Sequence, residues 1–522
     1  MPDNPDMSTS TALPSPPPLE GTKLMLGTVG VSLAMLMNTL DQSIANVSLP
    51  AIAGDLNAST EQSTWVVTAY IVANALSVLL SGWLAQRFGQ VRLMVASLLL
   101  FSLSSLLCGL APNLNMLILF RFLQGFVAGP MMVLGQPLIL QSYPPAKSGQ
   151  AIAAYFVTTS VGPIIGPLLG GAITDNLSWS WIFFINIPIG ILAFAIVWPI
   201  YRHRESERQK LPIDGIGLAL VAISVVCLQL TIEQGRDLDW FESPQIIALA
   251  VCGGIAFCFF MAWELTERHP VVDLSHFRHV SFLVGTTVVS IAFPLMVVQM
   301  VIPPIWVQHY LGYNATWAGF TMIWGGLVSV VFTFIAGRLT PHLDGRIMAS
   351  IGLAAFLVAC YLRTRMTSSA DFVTIALPQA FIGLASGFFF VPLFSIALRD
   401  IQPGKVASAA GLMAFLRYFG TSVLTSLMVT LWERRSFHHA QHLNEGLNDF
   451  NPRYQAWLDG PAGMGGNNTV STAVLQERIL VESATLAAND LFMLSLWCVS
   501  AMLFVIWLFT PSASARPLPS RR

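Results

Sequence analysis

Long apolar runs separated by short polar links fill the chain from residue 24 to residue 510. A helix needs about 20 apolar residues to cross the hydrocarbon core of a bilayer. Fourteen stretches meet that length: approximately 24–48, 62–84, 91–111, 114–140, 149–174, 180–201, 213–232, 244–265, 280–306, 317–337, 346–363, 371–396, 406–431 and 487–510. In lipid the backbone must satisfy its own hydrogen bonds, so these spans are read as helices. The pattern predicts an all-α polytopic membrane protein. An even number of spans puts both termini on one side. One link is long, 432–486, and carries the glycine- and asparagine-rich run DGPAGMGGNN.

Composition narrows the class. Of 522 residues, 54% are hydrophobic and 10% are charged, against about 25% charged in soluble domains. Mean hydropathy is +0.66. These values exclude a disordered chain, a nucleic-acid binder with a basic surplus and a soluble multidomain enzyme. Residues 1–22 are rich in Pro, Ser and Thr and read as a disordered leader without a basic n-region or cleavage site. The six cysteines are scattered in apolar stretches, with no zinc-ligand or redox spacing.

Net charge is near zero, yet its distribution is informative. Of the 26 Lys and Arg, 17 fall on the side of the N-terminus, seven on the other side and two, Arg121 and Arg417, inside spans. Positive loops face the cytoplasm. Both termini are therefore expected to be cytoplasmic, and 432–486 to lie outside.

Charged residues within spans are costly and mark pairing or function. Asp41 lies in span 1 and Arg121 in span 4, each roughly 10 Å below the outer end of its span at 1.5 Å per residue. Matching depths allow an ion pair that protonation of Asp41 would uncouple; a static structural pair is the alternative. Arg417, near the middle of span 13, has no carboxylate partner in the sequence pattern. Asp490 falls at the start of span 14, where a carboxylate caps a helix. Gly162, Gly166 and Gly170 recur every fourth residue in span 5, with Pro163, Pro167 and Gly171 beside them; such a face packs closely and the prolines bend the helix. His438, His439 and His442 continue span 13 outward, without the carboxylate or Cys that would complete a metal site. No Walker A motif is present, so a pump would run on an ion gradient. Ser81-Gly82-Trp83-Leu84 through Gly89 and Arg92 echoes Ala336-Gly337-Arg338-Leu339 through Gly345 and Arg346. That separation suits two six-span halves with two extra spans between them, the repeat plan of secondary transporters.

These residues resemble a family. The chain looks like a fourteen-span drug:proton antiporter of the EmrB/QacA type in the major facilitator superfamily, over essentially its whole length beyond the leader. Leu40-Asp41-Gln42-Ser43-Ile44-Ala45-Asn46-Val47-Ser48-Leu49-Pro50 resembles the family's span 1 signature. Arg121, Gln124 and Gly125 match its span 4 motif, in which the Arg is implicated in proton coupling. Gly162-Pro163, Gly166-Pro167 and Gly170-Gly171 are similar to the span 5 antiporter motif. Trp181, Phe183, Asn186, Pro188 and Gly190 match the start of span 6. Gly82, Leu84, Arg87, Gly89 and Arg92 resemble the gating motif between spans 2 and 3, with Gln86 where the superfamily usually has Asp. Leu238-Asp239-Trp240-Phe241, Trp263-Glu264-Leu265-Thr266 and His438-His439-Ala440-Gln441 look closer to EmrB than to QacA.

The resemblance implies a multidrug efflux antiporter of the bacterial inner membrane, driven by the proton gradient, with no cofactor, no metal and no catalytic residue. It implies a periplasmic adaptor of the EmrA type and a TolC-type outer-membrane channel as partners, reached through 432–486. Substrates would be hydrophobic or amphipathic small molecules in a cavity to which Gln136, Phe388, Arg417 and Tyr418 are assigned. The expected organisation is a leader (1–22), an N-terminal six-helix bundle (23–201), two linker spans (202–279), a C-terminal six-helix bundle (280–510) and a cytoplasmic tail (511–522). A major facilitator symporter, or an exporter of one metabolite acting without an adaptor, is the alternative reading.

Overall fold

The computed structural model describes residues 17–144, 147–206, 208, 214–235, 238–267, 272–313, 315–340, 342–402, 405–445 and 468–508. The leader to residue 16, the tail 511–522 and the middle of 432–486 lie outside the described residues. Every regular element among the described residues is helical. The N-terminal helices are α1 (Gly21–Asp55), α2 (Thr60–Phe88), α3 (Gln90–Gly109), α4 (Leu114–Ser142), α5 (Ser148–Asn176), the single turn α6 (Trp181–Phe184) and α7 (Asn186–Tyr201). A pair follows, α8 (Gly215–Gly235) and α9 (Pro244–Thr266). The C-terminal helices are α10 (Val280–Tyr310), α11 (Ala315–Leu339), α12 (Gly345–Arg363), α13 (Phe372–Ala397), α14 (Val406–Glu445) and α15 (Asn468–Val505).

Local chemistry sets several starts. Ser59 and Gln62 form a reciprocal capping box on α2, and Asn113, Asp344 and Asp371 cap α4, α12 and α13 through their side chains. Gly89, at φ +95°, turns the chain between α2 and α3, a conformation glycine adopts without penalty. Thirteen spans among the described residues are long and apolar enough to cross a membrane, with α6 and α7 together making one of them. α5 is not among the thirteen; at 29 residues it still reaches about 43 Å, enough for the fourteenth expected span.

Helices α1 to α7 pack chiefly on one another, as do α10 to α15. α8 and α9 pair together, and α8 also touches α2 and α14. The near face is defined here as the one where α1 begins, and the far face as its opposite. The two halves meet at the near face through glycine. A Cβ on Gly82 of α2 would stand 2.7 Å from Ser408 Cα of α14. Gly149 of α5 and Gly337 of α11 each lie against the other's carbonyl oxygen. Gly82 and Gly337 are the matching members of the internal repeat, so one glycine from each copy serves one crossing.

Three helix boundaries differ from the sequence expectation. α1 runs on through Pro50 to Asp55, so Asp41 lies about 21 Å from its far end rather than 10 Å. α1 also begins at Gly21, and Leu19 donates its N–H to Ser142 O at 2.8 Å, so the end of the expected leader is packed. α15 begins at Asn468, far ahead of the apolar stretch at 487. Asp490 is therefore interior to a helix and caps nothing; its carboxylate meets His439 at 2.9 Å and Arg435 at 3.8 Å on α14. α14 and α15 thus form a long antiparallel pair that continues beyond the apolar stretches at the far face.

Candidate functional site

The centre of the N-terminal half is a closed polar cluster. Arg121 Nη1 of α4 lies 2.6 Å from Asp41 Oδ2 of α1, with side-chain exposures of 1% and 0%. Asp41 Oδ1 accepts from Gln124 Nε2 at 3.0 Å and from Asn186 Nδ2 at 2.8 Å. Asn186 also donates to Ser105 Oγ of α3 at 3.0 Å. The helix break between Phe184 and Asn186 brings this amide to the carboxylate. Arg121 Nε donates to Val66 O of α2 at 3.2 Å, and Nη1 also reaches Gln124 Oε1 at 3.0 Å. Its guanidinium lies over the rings of Tyr70 at 4.3 Å and Phe183 at 5.5 Å. α4 approaches α2 this closely because Gly125 and Gly129 face the α2 backbone.

A buried ion pair persists only when its remaining lone pairs and protons are also satisfied. Here both carboxylate oxygens have donors. Protonating Asp41 would remove the charge that Arg121 and the two amides serve, so the cluster can couple a proton to helix packing.

The α5 glycines press on the stretch of α1 that carries Asp41. A Cβ on Gly162 would strike Thr39 Oγ1, one on Gly166 would lie 2.6 Å from Ser43 Cβ, and one on Gly170 would lie 2.9 Å from Ile44 Cγ1. Gly171 faces open space. The side chains of Pro163 and Pro167 lie outside the described residues.

At the near-face turn, Gly82 sits in the α2–α14 crossing described above. Arg87 lies over Trp83 at 5.5 Å. Gly89 and Arg92 are organised by a residue that the sequence reading missed, Glu205. Its carboxylate accepts from the N–H groups of Val91 at 2.9 Å and Arg92 at 3.0 Å, capping α3, and Arg92 Nε lies 3.8 Å away. A Cβ on Gly89 would collide with that carboxylate. An acid therefore occupies this turn although Gln86 replaces the usual Asp. Glu205 shares the run Arg202–Arg208 with a second acid, Glu207, so no sequence signal set it apart.

The four residues assigned to a cavity do not form one group. Arg417 of α14 is 5% exposed and stacks between Phe293 at 4.7 Å and Tyr418 at 4.8 Å; no salt bridge reaches it among the described residues. Tyr418 donates its hydroxyl to Met132 Sδ of α4 at 2.8 Å, bridging the halves. Gln136 is one turn along α4 from Met132, buried, with Nε2 unpartnered among the described residues. Phe388 packs instead on Phe332 at 5.8 Å within the C-terminal half.

The C-terminal half holds a counterpart that the sequence reading also missed. Gln299 stands 19 residues into α10, as Asp41 stands 20 into α1, and Gln379 stands seven into α13, as Arg121 does into α4. Gln379 Nε2 donates to Gln299 O at 3.4 Å. The guanidinium comes from elsewhere: Arg363, expected in an outer link, is fully buried and donates to Gln299 O at 2.6 Å and Gln299 Oε1 at 2.7 Å.

The helical layout, the repeated halves and the enclosed ion pair define a polytopic membrane transporter rather than an enzyme. A family model described as Major Facilitator Superfamily matches residues 31–425. The chain belongs to that superfamily, among its EmrB/QacA-type members. It is 44% identical over 496 residues to Multidrug export protein EmrB of Haemophilus influenzae, covering 95% of this chain and 97% of that one. It is 37% identical to Fatty acid resistance protein FarB of Neisseria gonorrhoeae, covering 95% and 98%. Among solved structures, the human organic anion transporter MFSD10 aligns with a TM-score of 0.58 at 12% identity, covering 92% of this chain and all of that one. That likeness speaks to fold.

Proposed function

We propose that this protein is a proton-coupled antiporter that exports hydrophobic or amphipathic toxic compounds across a bacterial inner membrane. Its near face would be cytoplasmic, with both termini there. The N-terminal bundle 23–201 and the C-terminal bundle 280–510 would rock about the cavity between them, with 202–279 alongside. The observation that carries this reading is the Asp41–Arg121 pair, enclosed in the bundle with a donor on each carboxylate oxygen. The relatives named for multidrug export support the substrate class. The Gly162, Gly166 and Gly170 contacts support a role for α5 in relaying a change at Asp41, and Gly82, Arg87, Gly89 and Arg92 would form the cytoplasmic gate.

The α14–α15 pair at the far face would receive a periplasmic adaptor of the EmrA type, leading to a TolC-type channel. The test of coupling is efflux of a fluorescent dye from everted vesicles under an imposed ΔpH. Asp41→Asn should abolish ΔpH-driven transport; a variant that still extrudes dye at the parent rate would sink the proposal.

A second reading has its own observation. Arg417 is buried near the interface of the halves with no carboxylate partner among the described residues, and a relative is named for fatty acid resistance. An exporter dedicated to one carboxylate metabolite would use that guanidinium as its anchor. Competition of dye efflux by a panel of neutral, cationic and carboxylate amphiphiles separates the two: competition by carboxylates alone selects the dedicated exporter.

A further inference from the structure

We infer that the proton reaches Asp41 through a hollow at the far face within the N-terminal half, separate from the cavity between the halves. This rests on the reading of Asp41 as the proton-binding residue.

The direction in which Asp41 points supports a separate route. Successive residues turn by about 100° around a helix. Thr39 and Ser43, which α5 presses on, are therefore on the opposite side of α1 from Asp41. α5 packs on α11 and α13 of the C-terminal half, and α2 packs on α14. Asp41 thus faces away from the α5 side of the seam and into the N-terminal bundle. Its contacts agree: Arg121, Gln124 and Asn186 bond to it, and Val66, Tyr70, Phe183 and Ser105 complete the shell, all from α2 to α7. The titratable groups around it are Arg121, Tyr70 and Cys108.

On that side, at the far face, a hollow of about 500 Å³ opens among the far ends of α1, α2 and α4. Asn57, Gln62, Asn113 and Asn115 line it with amides, with no charged side chain among the described residues that line it. Trp65 and Ile118 form its inner end. Ile118 is one turn before Arg121, and Trp65 precedes Val66, whose carbonyl accepts from Arg121 Nε. One turn is about 5 Å, a gap that one or two water molecules span once Trp65 or Ile118 swings aside. Uncharged amides order water without trapping ions, which suits a proton vestibule. The surrounding apolar layer, including Leu117 and Phe183, keeps the path narrow.

The consequence is that proton and substrate need not share a chamber. The experiment uses full-length protein in proteoliposomes, with Ile118→Cys treated from the far face with a membrane-impermeant sulfonated methanethiosulfonate. Wild type treated alike controls for the native cysteines. Relative to the same variant untreated, labelling should lower ΔpH-driven dye efflux at least tenfold. Dye affinity and proton-independent dye counterflow should stay within twofold. Absence of labelling, unchanged efflux after labelling, or equal loss of counterflow each overturns the inference. An Asp41→Asn protein that retains ΔpH-driven efflux would instead remove the underlying function reading, so the two failures are distinguishable.

Discussion

Asn186 holds the oxygen of Asp41 that Arg121 leaves free: its Nδ2 lies 2.8 Å from Oδ1, while Arg121 Nη1 lies 2.6 Å from Oδ2. The amide is delivered by a break in the sixth span, so the carboxylate is tied at once to α1, α4 and the α6–α7 corner. A change of charge at Asp41 therefore changes the grip between three helices.

Removing one member of this buried pair should cost about 3–5 kcal/mol, because the other charge is left without compensation. Arg121→Gln alone should lower the melting temperature of the detergent-solubilised protein. Asp41→Asn combined with Arg121→Gln should recover most of that loss while transport stays absent. The double variant places uncharged amides at the two positions that Gln299 and Gln379 occupy in the other half. Thermal unfolding followed by tryptophan fluorescence, paired with efflux, checks both parts.

The α5 glycines should divide by what they face. Gly166→Val puts its branches into Ser43 and should abolish efflux or folding, since overpacking costs about 1–3 kcal/mol or more. Gly171→Ala meets nothing within 4 Å and should keep full efflux, with stability raised by up to about 1 kcal/mol from helix propensity. Equal damage from both would argue against the packing role.

The near-face crossing should tolerate no side chain at position 82 of α2. A Cβ on Gly82 would stand 2.7 Å from Ser408 Cα, a separation that forces the two backbones apart. Gly82→Val should therefore lower dye efflux at least tenfold and lower the melting temperature of the solubilised protein. Parent-level efflux and stability in that variant would show that the close crossing is not required.

A pH effect belongs to the near-face link before α10. Burial pushes the Asp273 carboxyl up, but Lys405 at 2.7 Å and hydrogen bonds from Ser275 outweigh it and hold the group at about 2, below its ordinary 3.8. A depressed carboxyl contributes stability above its unfolded value and loses it as pH falls through the folded value. Lys405→Met should therefore lower the melting temperature slightly at pH 7, by about 1–2 °C for an exposed pair. The gap to wild type should close between pH 4 and pH 2.

How much of this was legible in the sequence can be said residue by residue. The spans were, because hydropathy is set by the bilayer. Asp41 and Arg121 stood out because charge is rare there, and their pairing followed from depth, even though Pro50 did not end α1 and the depth of Asp41 was misjudged. Arg363, the last residue of the stretch 346–363, was counted with the seven basic residues on the outer side. It is in fact covered by Phe492 of α15, a helix whose first turns are too polar, at Glu477, Arg478 and Glu482, to register as part of a span. Glu205 was invisible for another reason: a carboxylate that caps a helix more than 110 residues earlier in the chain leaves no local pattern.

α14 is one unbroken helix of 40 residues, about 60 Å long. Its first turn is seated in the Gly82 crossing and its last lies beyond the apolar stretches at the other face. Mechanically it is a lever with its fulcrum in the membrane. A tilt of about 10° at the crossing would sweep its tip through roughly 10 Å. Anything that grips the tip must follow that stroke or brake it, so a load applied at the far face would set the pace of movement at the near-face crossing.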